Sequence, residues 1–297
     1  MKTNAIVRIV LFSLAILIFG SILLGVLAFG MYMVDGDVHF EQTDNIVSPL
    51  VNTGLGEITS QVSHLEIEWA AGSITIRKDA NIDIISVLEY THPESDHKTV
   101  MKQSGQTLKI QFSEKSVKFP SFGVDADISK DLVITVPANW ECNSIEIDAA
   151  EADVEIQGLQ MNELDFDGAS GNLVLDDCNI GKLDIDTASG DVEFTGRLDK
   201  LDFDAASAQF TGEFFNVPKQ LNLDAMSGDM DLILPQYSGF YLELDTLSGS
   251  FDSDFDFHTI GEHYECGDSA CKIKISGMSG DVSIHKGIPT PAENCNH

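Results

Sequence analysis

Asp148, Asp167, Asp186, Asp204, Asp224 and Asp245 fall at one phase of a block that recurs about every twenty residues, and Asp165, Asp184 and Asp202 fall at a second phase. Carboxylates in rows can hold a hard divalent cation, draw in a basic surface, or, where two of them sit in different environments, serve as the acid and base of a glycosidase. For a cation, the candidate ligands are Asp167, Asp186, Asp204, Asp224 and Asp245, with Ca²⁺ as the ion. The site would be loose and weak, because the glycine-rich nonapeptide that places the aspartate in calcium-binding solenoids is missing. If the blocks stack as paired strands, neighbouring carboxylates sit about 4.8 Å apart. Unit charges at that distance repel by about 1 kcal/mol in bulk water and several-fold more near a protein surface. Salt screening of splayed side chains, bridging cations and a covering cationic partner are three ways to offset that repulsion.

The five cysteines are Cys142, Cys178, Cys266, Cys271 and Cys295. Cys266 and Cys271 share a short segment, where a disulfide would staple a loop of an extracellular chain. Cys142 and Cys178 precede blocks two apart, about 9–10 Å at the strand spacing, too wide for a bridge, and read as small buried residues. Cys295 is left for an intermolecular bond or none. His258 and His263 with Cys266 and Cys271 make four candidate zinc ligands, at a spacing that matches no zinc pattern.

Catalysis finds little else to use. His-Glu-x-x-His, Gly-x-Ser-x-Gly and phosphate-loop motifs are absent from the sequence. A polysaccharide lyase needs a base beside the sugar carboxylate, yet Glu141 to Phe257 offers only Lys182, Arg197, Lys200 and Lys219. A polyanionic substrate would also be repelled. The residues predict no enzyme, and no cofactor beyond a weak Ca²⁺.

The block that sets these phases reads Leu183-Asp184-Ile185-Asp186-Thr187-Ala188-Ser189-Gly190-Asp191-Val192-Glu193-Phe194 in its clearest copy. Cognates start at Ile145, Leu164, Leu201, Leu221, Leu242 and Ile273. Leu183 and Ile185, then Val192 and Phe194, lie two apart and point to one face of a strand while the acids between them point out. Ser-Gly between the two strands supplies a residue that takes positive φ without steric cost. The spacing predicts an all-β fold: a β-solenoid of stacked rungs over 141–286, with an insertion at 252–271 looping out of one rung. Antiparallel hairpins are the alternative, but identical residues at identical phase are what stacking rewards. Ahead of the solenoid, 62–140 alternates as short half-buried strands, and Trp69-Ala70-Ala71-Gly72-Ser73-Ile74-Thr75-Ile76 reads as a degenerate copy of the block.

These elements have an address. No charged residue occurs from Ile9 to Val34, enough apolar chain to cross a hydrocarbon core of about 30 Å as a helix. Lys2 and Arg8 precede this segment and Asp35 and Asp37 follow it, so 1–8 is expected to be a cytoplasmic stub, 9–34 an uncleaved transmembrane signal anchor, and the bulk extracellular. Ser21 and Gly25 have the spacing of a weak helix-dimerisation motif. A juxtamembrane linker is expected at 35–61 and a tail at 287–297. The formal net charge is -31, with 48 acidic and 17 basic residues, which argues against nucleic acid or an anionic membrane surface as a partner and suits cations or basic surfaces.

The run Asp131-Leu132-Val133-Ile134-Thr135-Val136-Pro137, then Ile145-Glu146-Ile147-Asp148, then blocks turning at Ser170-Gly171, Ser189-Gly190, Ser227-Gly228 and Ser279-Gly280, resembles the bacterial putative-adhesin family. That family groups domains of unknown function and includes LiaG-like envelope proteins. The resemblance spans about Val62 to Lys286, and it departs at Ala152 and Ala208, which replace the turn glycine. It implies a β-solenoid on the cell surface, sometimes tied to envelope stress, with no established catalytic activity. The expected function is a membrane-anchored surface interaction or adhesin-like module for an unidentified envelope ligand. The alternatives are a cation-binding structural spacer of the envelope and a glycan-active enzyme.

Overall fold

The computed structural model describes residues 51–52, 55–58, 62–91, 98–113, 129–261 and 263–287. The predicted membrane span at 9–34, the stub before it, Cys295 and the chain beyond 287 lie outside them. Among the described residues no helix is long and apolar enough to cross a membrane.

Every described element is a strand. The strands β1 (Val51–Asn52) and β2 (Gly56–Ile58) are short, and β3 (His64–Asp79) is long. They are followed by β4 (Ile85–Thr91), β5 (Val100–Ser104), β6 (Thr107–Gln111) and β7 (Lys130–Pro137). The repeated blocks form β8 (Ser144–Gln157), β9 (Gln160–Ser170), β10 (Leu173–Ser189), β11 (Val192–Ser207), β12 (Phe210–Phe214), β13 (Gln220–Ser227), β14 (Met230–Pro235), β15 (Phe240–Ser248) and β16 (Phe251–Ser253). A hairpin of β17 (His258–Ile260) and β18 (His263–Cys266) leads to β19 (Cys271–Ser279) and β20 (Val282–Gly287).

Stacking is parallel and in phase, as the repeat predicts. Leu183 of β10 stands opposite Leu164 of β9 and Leu201 of β11, and Leu201 stands opposite Leu221 of β13. The second half of each rung builds another parallel face, in which Val154, Leu173, Val192, Phe210, Met230 and Val282 follow one another. The two apolar rows meet inside: Ile145, Leu164, Leu183, Leu201 and Leu221 of the first face and Leu173, Val192 and Phe210 of the second are each no more than 2% exposed. Burying each such side chain contributes about 1.5–3 kcal/mol, and no rung could do so without a neighbour on each side.

The turn glycines stack as well. Gly190 has φ 119, and a Cβ there would lie 1.9 Å from the Gly171 carbonyl oxygen of the rung below. Only glycine allows the two backbones to approach so closely. Ala152 and Ala208, at the equivalent turns, take no positive φ and bury their methyls instead, so those rungs are accommodated rather than lost.

Chain order and spatial order part company at both ends. At the start, β3 lies between β8 on one side and β6 with β7 on the other, although β6 and β7 come later in the chain. Antiparallel β5 and β4 cover the outer edges of β6 and β7, and β1 and β2 add to β4. The segment expected as linker thus contributes two strands. At the other end, β19 and β20 return into the slot between β13 with β14 and β15 with β16. The expected loop at 252–271 is instead the cap of the stack: β18 pairs antiparallel with the outer edge of β15, and β17 pairs with β18. Its apolar side chains explain the difference. Phe251, Phe257 and Tyr264 pack with ring centroids 5.0–5.6 Å apart, and Phe255 packs edge-on against Phe240 at 5.3 Å. Antiparallel strands at both ends blunt edges that would otherwise recruit further chains.

Candidate functional site

The outward residues of the first face line up in columns along the stack. In one column Glu68, Asp148, Asp167, Asp186, Asp204 and Asp224 stand opposite one another from rung to rung. In the adjacent column Glu66, Glu146, Asp165, Asp184 and Asp202 do the same. Asp245, expected as the next member of the first column, is not Asp224's neighbour. Ser276 of the intercalated β19 separates the two and interrupts the row.

Donors close both columns at the first end and the second column at the other. Lys109 pairs with Glu68 and, at 3.7 Å, with Glu66, and Gln111 Nε2 donates to Glu68 Oε2 at 2.7 Å. At the far end Asn222 Nδ2 donates to Asp202 Oδ1 at 2.6 Å, and Lys274 lies opposite Asn222. Within the field Lys182 Nζ reaches Asp184 at 2.6 Å and Glu163 at 3.4 Å.

Five of the carboxyls between these ends respond as crowded acids do. Desolvation between rungs, and then the charge of neighbouring carboxylates, raise Glu146, Asp165, Asp167 and Asp186 above the usual carboxylate range. Asp204 is displaced furthest, to about 6, first by desolvation and then by Asp224 and Asp186. Glu68 moves the other way because Lys109 and then Gln111 donate to it. Among the described residues no three His, Cys, Asp or Glu side chains converge to hold a metal ion. A calcium ion on this face would therefore bridge carboxylates of successive rungs instead of entering a cage.

A different set of Asp and Asn side chains serves the turns. Asp153 Oδ1 accepts from the Asn172 amide at 2.9 Å, Asn172 Oδ1 from the Asp191 amide at 3.0 Å, Asp229 Oδ1 from the Asp281 amide at 2.8 Å, and Asp281 Oδ1 from the Ser250 amide at 2.7 Å. Each of these four residues, placed just after a turn, thus caps the next rung. The sequence reading did not separate these structural side chains from the outward columns, although their place directly after the turn marks them.

The expected Cys266–Cys271 disulfide is absent. Both residues stand opposite Phe240 of β15, Cys266 on one side and Cys271 on the other, and both thiols are free. Two strand spacings, about 9–10 Å, exceed the reach of a disulfide. His263 stacks on Tyr241 with centroids 4.7 Å apart while the two cysteines turn into the core, so the four candidate zinc ligands do not meet. Cys178 is buried as expected, and Cys142 is half-buried, its thiol pushed up to about 12 by desolvation.

One buried charge escaped the sequence reading. Lys130 Nζ is fully enclosed and donates to Glu89 Oε1, Thr99 Oγ1 and the Phe112 carbonyl, each at 2.7 Å. It also lies 4.4 Å from the Phe112 ring centroid and 5.7 Å from that of Trp69. Burial lowers its pKa, opposed by Glu89. Parity was the available signal, since Lys130 shares the inward phase of Leu132, Ile134 and Val136. The group joins β7 to the antiparallel cap.

The in-phase rungs, the stacked Ser-Gly turns and the columns they carry extend over the region matched by the family model, residues 62–285. The chain belongs to the Toastrack DUF4097 family. This Toastrack chain is also similar to solved structures of low identity. One, a putative adhesin from Bacteroides fragilis NCTC 9343, is 15% identical with a TM-score of 0.48, covering 83% of this chain and 100% of that one. Another, a putative lipid binding protein from Parabacteroides distasonis ATCC 8503, is 15% identical with a TM-score of 0.42, covering 80% and 97%. A third, a putative cell adhesion protein from Clostridium sporogenes ATCC 15579, is 11% identical with a TM-score of 0.39, covering 81% and 100%. No curated protein matches.

Proposed function

We propose that this Toastrack protein is a non-catalytic surface interaction module, anchored by the segment at 9–34 with its bulk outside the cell, whose contact surface is the acidic face and whose partner is cationic. The observation that carries this reading is the pair of carboxylate columns held in register on an outward sheet face. Like charges fixed at the strand spacing repel, and a cationic partner that covers them gains what that repulsion costs. The raised pKa values of Asp165, Asp167, Asp186 and Asp204, caused first by desolvation and then by neighbouring carboxylates, favour the same reading. Catalysis has weaker support. The displaced Asp204 stands on an open strand among like acids, and glycoside hydrolysis needs two carboxyls set apart across a bound sugar.

The test is a binding panel on the full-length chain in nonionic detergent, against cationic, zwitterionic and anionic envelope polymers. Cationic polymers should bind, with affinity falling as salt rises. The triple variant Asp165→Asn, Asp184→Asn, Asp202→Asn should lose most of that binding. Equal binding of anionic polymers, or an unchanged triple variant, rejects the proposal. Protease digestion of intact cells tests the orientation: the region from residue 62 onward should be cleaved without permeabilisation.

A further inference from the structure

Beside the acidic columns runs another outward position, two residues further along each rung. It is filled by Ala150, Ala169, Ala188 and Ala206 through the middle of the stack, and then by Met226, Met278 and Leu247 on three successive rungs. Each of these three is bracketed by paired neighbours, Ala225, Gly277 and Thr246 on one side and Ser227, Ser279 and Ser248 on the other, so they form a column of their own. Leu247 is 62% exposed and Met278 40%, among the few large apolar side chains of the described residues that face water to this degree. Alternation puts Asp224, Ser276 and Asp245 in the column directly alongside, with Asp204 one rung further. An apolar row bordered by a carboxylate row is therefore built into the C-terminal end of the face.

We infer that this double row docks a basic amphipathic helix of a partner protein, Met226, Met278 and Leu247 receiving its apolar side chains and Asp204, Asp224 and Asp245 its lysines or arginines. The inference rests on the cationic partner proposed above and names its form. Two features select a helix. Charge complementarity requires basic groups beside apolar ones, the pattern of an amphipathic helix. Geometry requires one contact per rung: a helix laid along the stack advances about 5.4 Å per turn against a rung spacing of about 4.8 Å, so each turn meets one rung. An extended strand laid the same way presents same-side residues about 6.6–6.8 Å apart and falls out of step after one rung. Methionines suit the task because their unbranched side chains adapt to the shape of what covers them.

Fluorescence anisotropy on the full-length chain in nonionic detergent separates the ideas, with three labelled probes: a Leu/Lys peptide patterned as an amphipathic helix, a scrambled peptide of equal composition, and oligolysine. The patterned peptide should bind about tenfold more tightly than the scrambled one. Leu247→Asn with Met278→Asn should erase that preference while leaving oligolysine binding unchanged; both positions are exposed, and an unaltered melting curve confirms the fold. If both peptides bind equally, or the double variant keeps the preference, the docking row is rejected while the acidic face stands. If none of the three probes binds, the cationic partner itself is rejected. If the unliganded chain sediments as a dimer that the double variant converts to monomer, the row is an interface between copies and the helix proposal fails.

Discussion

Asp204 lies between Asp186 and Asp224 on neighbouring rungs, and its carboxyl is displaced to about 6. The folded chain therefore binds that proton more tightly than the unfolded chain, and stability must fall as pH rises through the window between the ordinary carboxylate value and about 6. Glu146, Asp165, Asp167 and Asp186 push in the same direction. Glu68, Asp254 and Asp281, whose carboxyls are held low by donors, act oppositely and withdraw stability only at lower pH. A melting series should accordingly show Tm rising as pH drops from about 7 to about 5, and Asp204→Asn should raise Tm at neutral pH and flatten that rise. Calcium offers a second test at this scale. Since no three ligands converge among the described residues, about 5 mM calcium should raise Tm no more than a salt control of equal ionic strength. Lys130 supplies a third. Lys130→Met leaves Glu89 buried beside a methyl group and should cost about 3–5 kcal/mol in denaturant unfolding, and Lys130→Met with Glu89→Leu should recover part of it. No recovery would mean that Lys130 acts by its other donations, to Thr99 and Phe112.

At the scale of the element, the turn column governs how closely rungs can approach. Gly190→Ala faces both an unfavourable φ and a carbonyl oxygen at 1.9 Å, and should cost about 3 kcal/mol or more. Gly158→Ala makes a control, because its φ is 66 but nothing lies within 4 Å of the new methyl, so about 1–2 kcal/mol is expected. Equal losses in the two variants, read from denaturant midpoints, would show that backbone conformation alone matters and that rung contact does not. The strands themselves were legible from alternation: Leu183, Ile185, Val192 and Phe194 are buried, and their phase recurs in every copy that stacks. Legible too were the outward aspartates, since parity decides which side of a strand a residue takes. What alternation could not show was that Asp191's counterparts hold turns while Asp186's face solvent. Both are outward by parity; their place directly after the turn sets the former apart in the sequence, and the amides of the adjacent rung show what they do there.

For the molecule as a whole, the decisive feature is the order of rungs at each end. A repeat announces that copies stack, but each copy is nearly the same and so says little about which copy lies beside which. Ser276 between Asp224 and Asp245 is the consequence for the acidic face, and the wide separation of Cys266 and Cys271 is the consequence for the predicted bridge. The capping hairpin carries a prediction of its own. Replacing 258–266 with a short Gly-Ser linker uncovers the edge of β15, and the chain should then self-associate with rising concentration in analytical ultracentrifugation. A variant that stays monomeric would show that the edge is protected in some other way. The sequence by itself determined the all-β class, the rung period, the inward apolar rows, the outward acids and the strongly negative charge, because these follow from local spacing and composition. The tertiary structure alone decided the rung order, the length of the carboxylate columns, the partners of Lys130 and the exposure of Met278 and Leu247, because each depends on which distant segment fills the next 4.8 Å or so of the stack.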